Sequence, residues 1–123
     1  MKKILLVDDH ADIRRLIRMT LEFEDYEIHE AADGESALRI AREVRPDFLL
    51  TDVMMPGAVD GLELCRRIKA DPELRSIHVM VVSARGQARD REAGHLAGAD
   101  TYLVKPFSPL QLIDSLSQLW LAE

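Results

Sequence analysis

One cysteine, Cys65, occurs in 123 residues, so no internal disulfide can form and nothing in the cysteine usage suggests secretion. No apolar run approaches the ~18 residues of a membrane-spanning helix. Met1-Lys2-Lys3 leads into an apolar stretch too short for a signal-peptide core. A basic excess is also missing. Sixteen Lys and Arg against 22 Asp and Glu give a net charge of -6, which gives no support to a direct nucleic-acid or anionic-membrane surface, and without a long apolar run no membrane insertion is expected. There is no internal repeat, low-complexity tract or linker. These absences leave a single domain over residues 1–123, long enough to bury a real core and expected in the cytoplasm.

What is present is an alternation of short apolar runs with amphipathic stretches. Strands are predicted from Lys3 to Val7, Tyr26 to Ala31, Asp47 to Thr51, His78 to Val82 and Thr101 to Val104. Runs such as ILLV and VMVV do not alternate with polar residues, which suggests strands covered on both faces, as in a parallel sheet. Helical stripes lie between them. Ile13, Leu16, Ile17, Thr20 and Leu21 form the first, and Ala37, Leu38, Ala41 and Val44 the second. Leu64, Cys65 and Ile68 form the third, and Leu112, Ile113, Leu116, Leu119 and Trp120 the last. The stretch from Gln87 to Ala97 is the weakest helix, with a mostly alanine apolar face and Gly94 in its middle. Asp-Gly pairs at 33–34 and 60–61 and prolines mark the joins. The order is βα repeated five times, an open α/β sheet with helices on both faces.

Ligands in such sheets bind beyond the carboxyl ends of the strands. Asp8, Asp9, Asp52, Ser83 and Lys105 all fall there. Three carboxylates at one site repel one another, and a hard divalent cation with oxygen ligands resolves the conflict. Asp9 and Asp52 are assigned as direct Mg²⁺ ligands, Asp8 as a partner acting through water, and the backbone carbonyl of Met54 as a further ligand. Asp52 is the candidate nucleophile, because a carboxylate can form an acyl phosphate. Phosphoryl transfer needs charge neutralisation and in-line positioning, which Mg²⁺ and the Lys105 ammonium would supply, with the Ser83 hydroxyl holding another oxygen. Each residue also has a plainer reading. Asp8-Asp9 suits the acidic first turn of a helix, Ser83 a turn, and Lys105 a solvated loop. His10 stands beside the acids but does not match an oxygen site. His29, His78 and His95 are read as structural or solvated, and Cys65 as a core residue.

Together VDDH, TDVMMP, DGLEL, VSA and LVKPF resemble the receiver domain of two-component response regulators, in that family's order and across essentially the whole chain. The resemblance implies a flavodoxin-like (βα)₅ three-layer sandwich with strand order 2-1-3-4-5. It implies Asp52 as phosphoacceptor, Asp8 and Asp9 as the Mg²⁺ pair, Ser83 as switch hydroxyl, Tyr102 as switch aromatic and Lys105 as phosphate contact. The phosphoryl group would come from a phosphohistidine on a histidine kinase or histidine phosphotransfer protein. The switched face would comprise the helix from Gln87, the strand at Thr101–Val104 and the last helix. It would be read by a downstream protein or by an output domain absent from this chain, with the receiver a monomer or a phosphorylation-dependent dimer. Such a domain is a signalling phosphoacceptor that assists its own phosphoryl transfer and dephosphorylation, not an enzyme. One departure is visible: Gly57, Ala58 and Val59 separate Pro56 from Asp60, one residue more than is usual, so the loop is expected to bulge beside the site. The competing readings fit less well. A nucleotide or flavin carrier needs a Gly- or Ser-rich loop where this chain has DDHAD. A haloacid-dehalogenase-like phosphatase places its nucleophile after the first strand. A receiver that only docks partners would not need the full set of acids with Ser83 and Lys105.

Overall fold

The computed structural model describes residues 1–121. Five strands alternate with five helices: β1 (Lys2–Val7), α1 (Ala11–Thr20), β2 (Tyr26–Ala31), α2 (Gly34–Val44), β3 (Phe48–Thr51), α3 (Gly61–Ala70), β4 (His78–Ser83), α4 (Ala88–Leu96), β5 (Thr101–Val104) and α5 (Pro109–Leu121). The strands form one parallel sheet of order β2-β1-β3-β4-β5. This is the expected flavodoxin-like three-layer sandwich.

Strand periodicity divides the apolar residues between two cores. Leu5, Val7, Leu49 and Val79 face α2 and α3, packing with Ala37, Ala41, Leu64, Cys65 and Ile68. Ile4, Leu6, Phe48, Leu50, Met80 and Val82 face the other way, against Ile17 and Leu21 and against Leu112, Leu116 and Leu119 of α5. Every residue of β3 is buried, because the strand lies mid-sheet with a helical layer on each side. That is why its sequence shows no polar alternation. Cys65 is fully buried, and burial pushes its thiol up to about 11. His29 pairs with Glu27 and His78 packs against Phe48. The side chain of Trp120, assigned to the α5 stripe, lies outside the described residues.

The Asp-Gly pairs are helix starts. Asp33 and Asp60 are the N-caps of α2 and α3, accepting hydrogen bonds from the N–H of Ser36 (2.7 Å) and Glu63 (2.8 Å). The glycine after each cap permits a close approach. A Cβ on Gly61 would lie 1.7 Å from the carbonyl oxygen of Asp52, and one on Gly34 would lie 2.3 Å from that of Val59. The amino end of α3 is therefore pressed directly against the backbone that carries Asp52. α4 is the loosest helix, as its sequence suggests: only Gly94 is buried along it.

The loop with the extra residue does bulge, but not freely. Pro56, Gly57 and Ala58 are exposed, and Gly57 adopts a left-handed φ of 91° that suits glycine. Val59 then turns inward and is buried in the α2–α3 core. The added length is absorbed by an exposed arch with a buried foot. Val59→Ala is expected to destabilise the fold by about 2 kcal/mol, the loss of two buried methyl groups, while Ala58→Ser stays within about 0.5 kcal/mol. Chemical denaturation of both variants checks this.

Candidate functional site

β1 and β3 are hydrogen-bonded neighbours, and the ladder runs one step beyond β3: the Asp52 N–H donates to the Val7 carbonyl at 3.1 Å. The residues that follow the two strands, Asp8 and Asp52, are thereby set side by side at one edge of the sheet. Lys105 follows β5, which β4 separates from β3. Its N–H donates to the Ser83 carbonyl at 2.8 Å, and the peptide bond to Pro106 is cis. From there the side chain reaches back across the end of β4. Its Nζ lies 3.0 Å from Oδ2 of Asp8 and 3.1 Å from Oδ2 of Asp52.

Burial pushes the Asp8 carboxyl upward, but the His10 N–H, the Lys105 ammonium and the His10 ring outweigh it and hold the group below its ordinary value. Burial likewise pulls Lys105 down, and its bonds to Asp8 and Asp52 reverse this, so its pKa is raised. The ammonium bridging two carboxylates leaves one negative charge in excess, a surplus suited to an entering divalent cation. The two oxygens of Asp52 are not equivalent. Oδ1 accepts from the backbone N–H of Val53 (2.6 Å) and of Met54 (3.4 Å), whereas Oδ2 faces Lys105.

Asp8, Asp52 and Lys105 are thus brought together. Asp9 stands further out, half-exposed, with Oδ1 3.1 Å from Nδ1 of His10. Among the described residues, the group whose ligand atoms lie within 4.8 Å of one another is Asp8, His10 and Asp52. The carboxylate oxygens of this group fit Mg²⁺, while the His10 ring nitrogen Nδ1 donates to Oδ1 of Asp8 at 2.9 Å. Met54 is exposed, and its Sδ lies 2.6 Å from a guanidinium nitrogen of Arg85.

Ser83 and Tyr102 share a partner. The buried Ser83 Oγ accepts from the Arg85 N–H at 3.2 Å, and the Tyr102 hydroxyl donates to the Arg85 carbonyl at 2.6 Å. The Tyr102 ring lies against Gly94, where a Cβ would come within 2.9 Å of it, and the Arg91 guanidinium lies 5.9 Å from its centre. Arg14 is a further site residue that sequence reasoning missed. It donates to the Asp8 carbonyl and, from Nε, to Glu30 on β2 at 2.9 Å. Its partner lies 16 residues away and has no periodic relation to it.

Replacing Lys105 with Met leaves two carboxylates, one of them buried, without their countercharge. The folded state holds Asp8 below 3.8, so its contribution to stability is complete above that value and is lost as pH falls through the folded pKa. Lys105, held above 10.5, contributes throughout that range. Lys105→Met is expected to cost about 1–3 kcal/mol at pH 7 without divalent ions, with the gap closing below pH 3.8. Denaturant titrations at both ends of the range measure it.

The response regulator receiver domain family matches residues 4–117. The transcriptional regulatory protein ResD of Bacillus subtilis is 46% identical over 111 residues, covering 90% of this chain and 45% of that protein. The phosphate regulon transcriptional regulatory protein PhoB of Pseudomonas aeruginosa is 40% identical over 115 residues, covering 94% and 50%. The chain spans about half the length of these curated relatives. Among solved structures, a chemotaxis response regulator of Vibrio cholerae superposes with a TM-score of 0.90 at 32% identity, covering 97% of this chain and 98% of that one. The receiver domain of a signal transduction histidine kinase from Syntrophus aciditrophicus gives 0.88 at 31%, covering 97% and 89%. Matched along nearly its whole length in sequence and in fold, the chain belongs to the receiver domain family of two-component response regulators.

Proposed function

We propose that this receiver accepts a phosphoryl group on Asp52 from the phosphohistidine of a histidine kinase or phosphotransfer protein, in a Mg²⁺-dependent step. The observation that carries this reading is the Lys105 ammonium, bonded at once to Asp8 and Asp52. Oδ2 of Asp52 is the attacking atom, because Oδ1 is engaged by two backbone N–H groups. As Oδ2 bonds to phosphorus, the bond from phosphorus to the histidine nitrogen breaks. Oδ1 becomes the acyl carbonyl and keeps its Val53 hydrogen bond. Lys105 retains Asp8 and exchanges its second partner for a phosphoryl oxygen. A divalent cation, held by Asp8 and Asp52 with Asp9 and the Met54 carbonyl as the further ligands the family pattern suggests, would neutralise charge on the transferring group. The domain assists its own phosphorylation and dephosphorylation and turns over no separate substrate.

The output runs through Arg85. Phosphorylation adds about two negative charges at the edge of the sheet. If the Ser83 hydroxyl turns toward the phosphoryl group, the Arg85 N–H loses its acceptor, and the Tyr102 hydroxyl is bonded to the carbonyl of that same residue. The loosely docked α4 is the element free to follow, so the face that changes is α4–β5–α5. A cytoplasmic partner protein, an attached output domain or a second receiver would read that face.

Incubation with acetyl phosphate and Mg²⁺, followed by intact-mass analysis, is expected to show one phosphoryl adduct that is absent without Mg²⁺ and absent in Asp52→Asn. A folded protein that takes no adduct would refute the reading. Hydrogen exchange tests the output: phosphorylation should change protection in residues 87–97 of the wild type, and Tyr102→Ala should be phosphorylated yet lose that change. An unaltered exchange response in Tyr102→Ala would remove the route through Arg85.

A further inference from the structure

Two arginines of α1 meet one carboxylate of β2. Nε of Arg14 donates to Oε1 of Glu30 at 2.9 Å, and Nε of Arg18 donates to Oε2 at the same distance. Burial pushes the Glu30 carboxyl upward, but Arg18 and Arg14 outweigh it and hold the group below its ordinary value. The two arginines are nonetheless unlike. The Arg18 side chain is 47% exposed, and its second contact is the Ile28 carbonyl on the same strand at 3.4 Å. The Arg14 side chain is 18% exposed, and its Nη1 donates to the Asp8 carbonyl. With Asp8, Thr51 and Asp52 it lines a cavity of about 10 Å³ beneath the site, which Arg18 does not line. The carbonyl that Arg14 holds belongs to the planar peptide joining Asp8 to Asp9, so its direction constrains ψ of Asp8 and φ of Asp9, and with them the bearing of both carboxylates. The other backbone group of Asp8, its N–H, donates to the Ala31 carbonyl at the end of β2 at 3.2 Å. β2 thus holds Asp8 twice, directly through Ala31 and indirectly through Glu30 and Arg14.

We propose that Arg14 is a positioning residue: its guanidinium, anchored by Glu30, fixes the Asp8–Asp9 peptide so that the two carboxylates converge before a divalent cation arrives. The inference rests on the cation-binding part of the reading above and adds to it a residue that acts through Asp8. Arginine suits the task because its planar fork serves two acceptors in fixed directions, here a carboxylate and a carbonyl, where a lysine ammonium is a single point of charge. Groups that orient a metal's ligands typically govern its affinity by tenfold to a hundredfold. An ion already seated enforces the same geometry on the acids. The loss on removing Arg14 should therefore appear in the Mg²⁺ concentration needed and not in the rate at saturating Mg²⁺.

Mg²⁺ affinity is measured calorimetrically, without phosphodonor, on the wild type, Arg14→Met, Glu30→Gln and Arg18→Met, with denaturant titrations to record the stability of each. Arg14→Met is expected to weaken Mg²⁺ binding roughly tenfold or more, while its reaction with acetyl phosphate at saturating Mg²⁺ keeps the wild-type rate. Glu30→Gln preserves size and one acceptor oxygen, and is expected to shift affinity in the same direction by a smaller factor. The double variant should bind no more weakly than Arg14→Met alone, because Glu30 acts through Arg14. Arg18→Met gives up its bonds to the same carboxylate but none to Asp8, and should keep the wild-type affinity. That comparison separates positioning from support of α1, which both arginines provide. An unchanged affinity in Arg14→Met, or an equal loss in Arg18→Met, would overturn the assignment. If Arg14→Met does not fold, an unchanged affinity in Glu30→Gln overturns it instead. The expected pattern of affinities with no acetyl phosphate adduct in the wild type upholds the role of Arg14 and refutes the phosphoryl reading. An adduct with equal Mg²⁺ affinity in every variant does the reverse, and a wild type that binds no Mg²⁺ overturns both.

Discussion

Two carboxylates on adjacent strand ends, held together by one ammonium from a strand two places away, form the interaction around which the rest of the site is arranged. Asp8 is buried, and an isolated buried carboxylate would be pushed toward protonation. The His10 N–H and the Lys105 ammonium prevent that, Lys105 by bonding to Asp8 and Asp52 together. Its reach depends on the sheet order, because β4 must lie between β3 and β5 for the side chain to cross the edge at that distance. The same bridge keeps the site ready for chemistry. A lysine that already serves two acids can transfer to a phosphoryl oxygen while keeping one of them, so charge is redistributed rather than newly buried. Under the proposed function, a resident ammonium also limits how firmly a divalent ion is held, which suits an ion that would share its ligands with the incoming phosphoryl group.

Backbone packing sets the stage for that triad. Gly61 lets the first turn of α3 press on the Asp52 carbonyl, and Asp60 caps the same helix, so the turn that carries Asp52 is held by α3. Two N–H groups on Oδ1 then fix the carboxylate so that Oδ2 faces the ammonium. The longer loop between Pro56 and Asp60 leaves this clamp intact because Val59 anchors its return in the core. Insertions at exposed arches cost little chain entropy when both feet stay packed.

Most of the fold was legible because its signals are local. The unalternating runs of β1, β3 and β4 announce strands covered on both faces, and the helical stripes announce which side chains cover them. The site acids were legible because each closes an apolar run. Other features were not. Arg14 pairs with Glu30, and Arg85 joins Ser83 to Tyr102 through its own backbone; neither relation has a period or a motif. His10 was visible as a neighbour of the acids, but the direction of its ring was not, since an N-cap side chain ordinarily turns toward its helix. Val59 read as loop because a single apolar residue carries no pattern.

The contrast between α4 and the other helices explains where movement can occur. α2 and α3 bury several apolar side chains each, and α5 buries Leu112, Leu116 and Leu119. Displacing any of them would expose enough apolar surface to cost several kcal/mol. Within α4 only Gly94 is buried; its C-cap Ala97 enters the α2–α3 core, and Arg91 and Tyr102 add a cation–aromatic contact. The Tyr102 ring lies against Gly94, where any side chain would meet it, so the ring packs directly on the helix backbone. Low burial makes α4 a cheap element to move, and under the proposed function its contact with Tyr102 would couple it to β5. A charge change at Asp52 therefore needs to bias only a few polar contacts, not a packed core, to change the outer face of the domain.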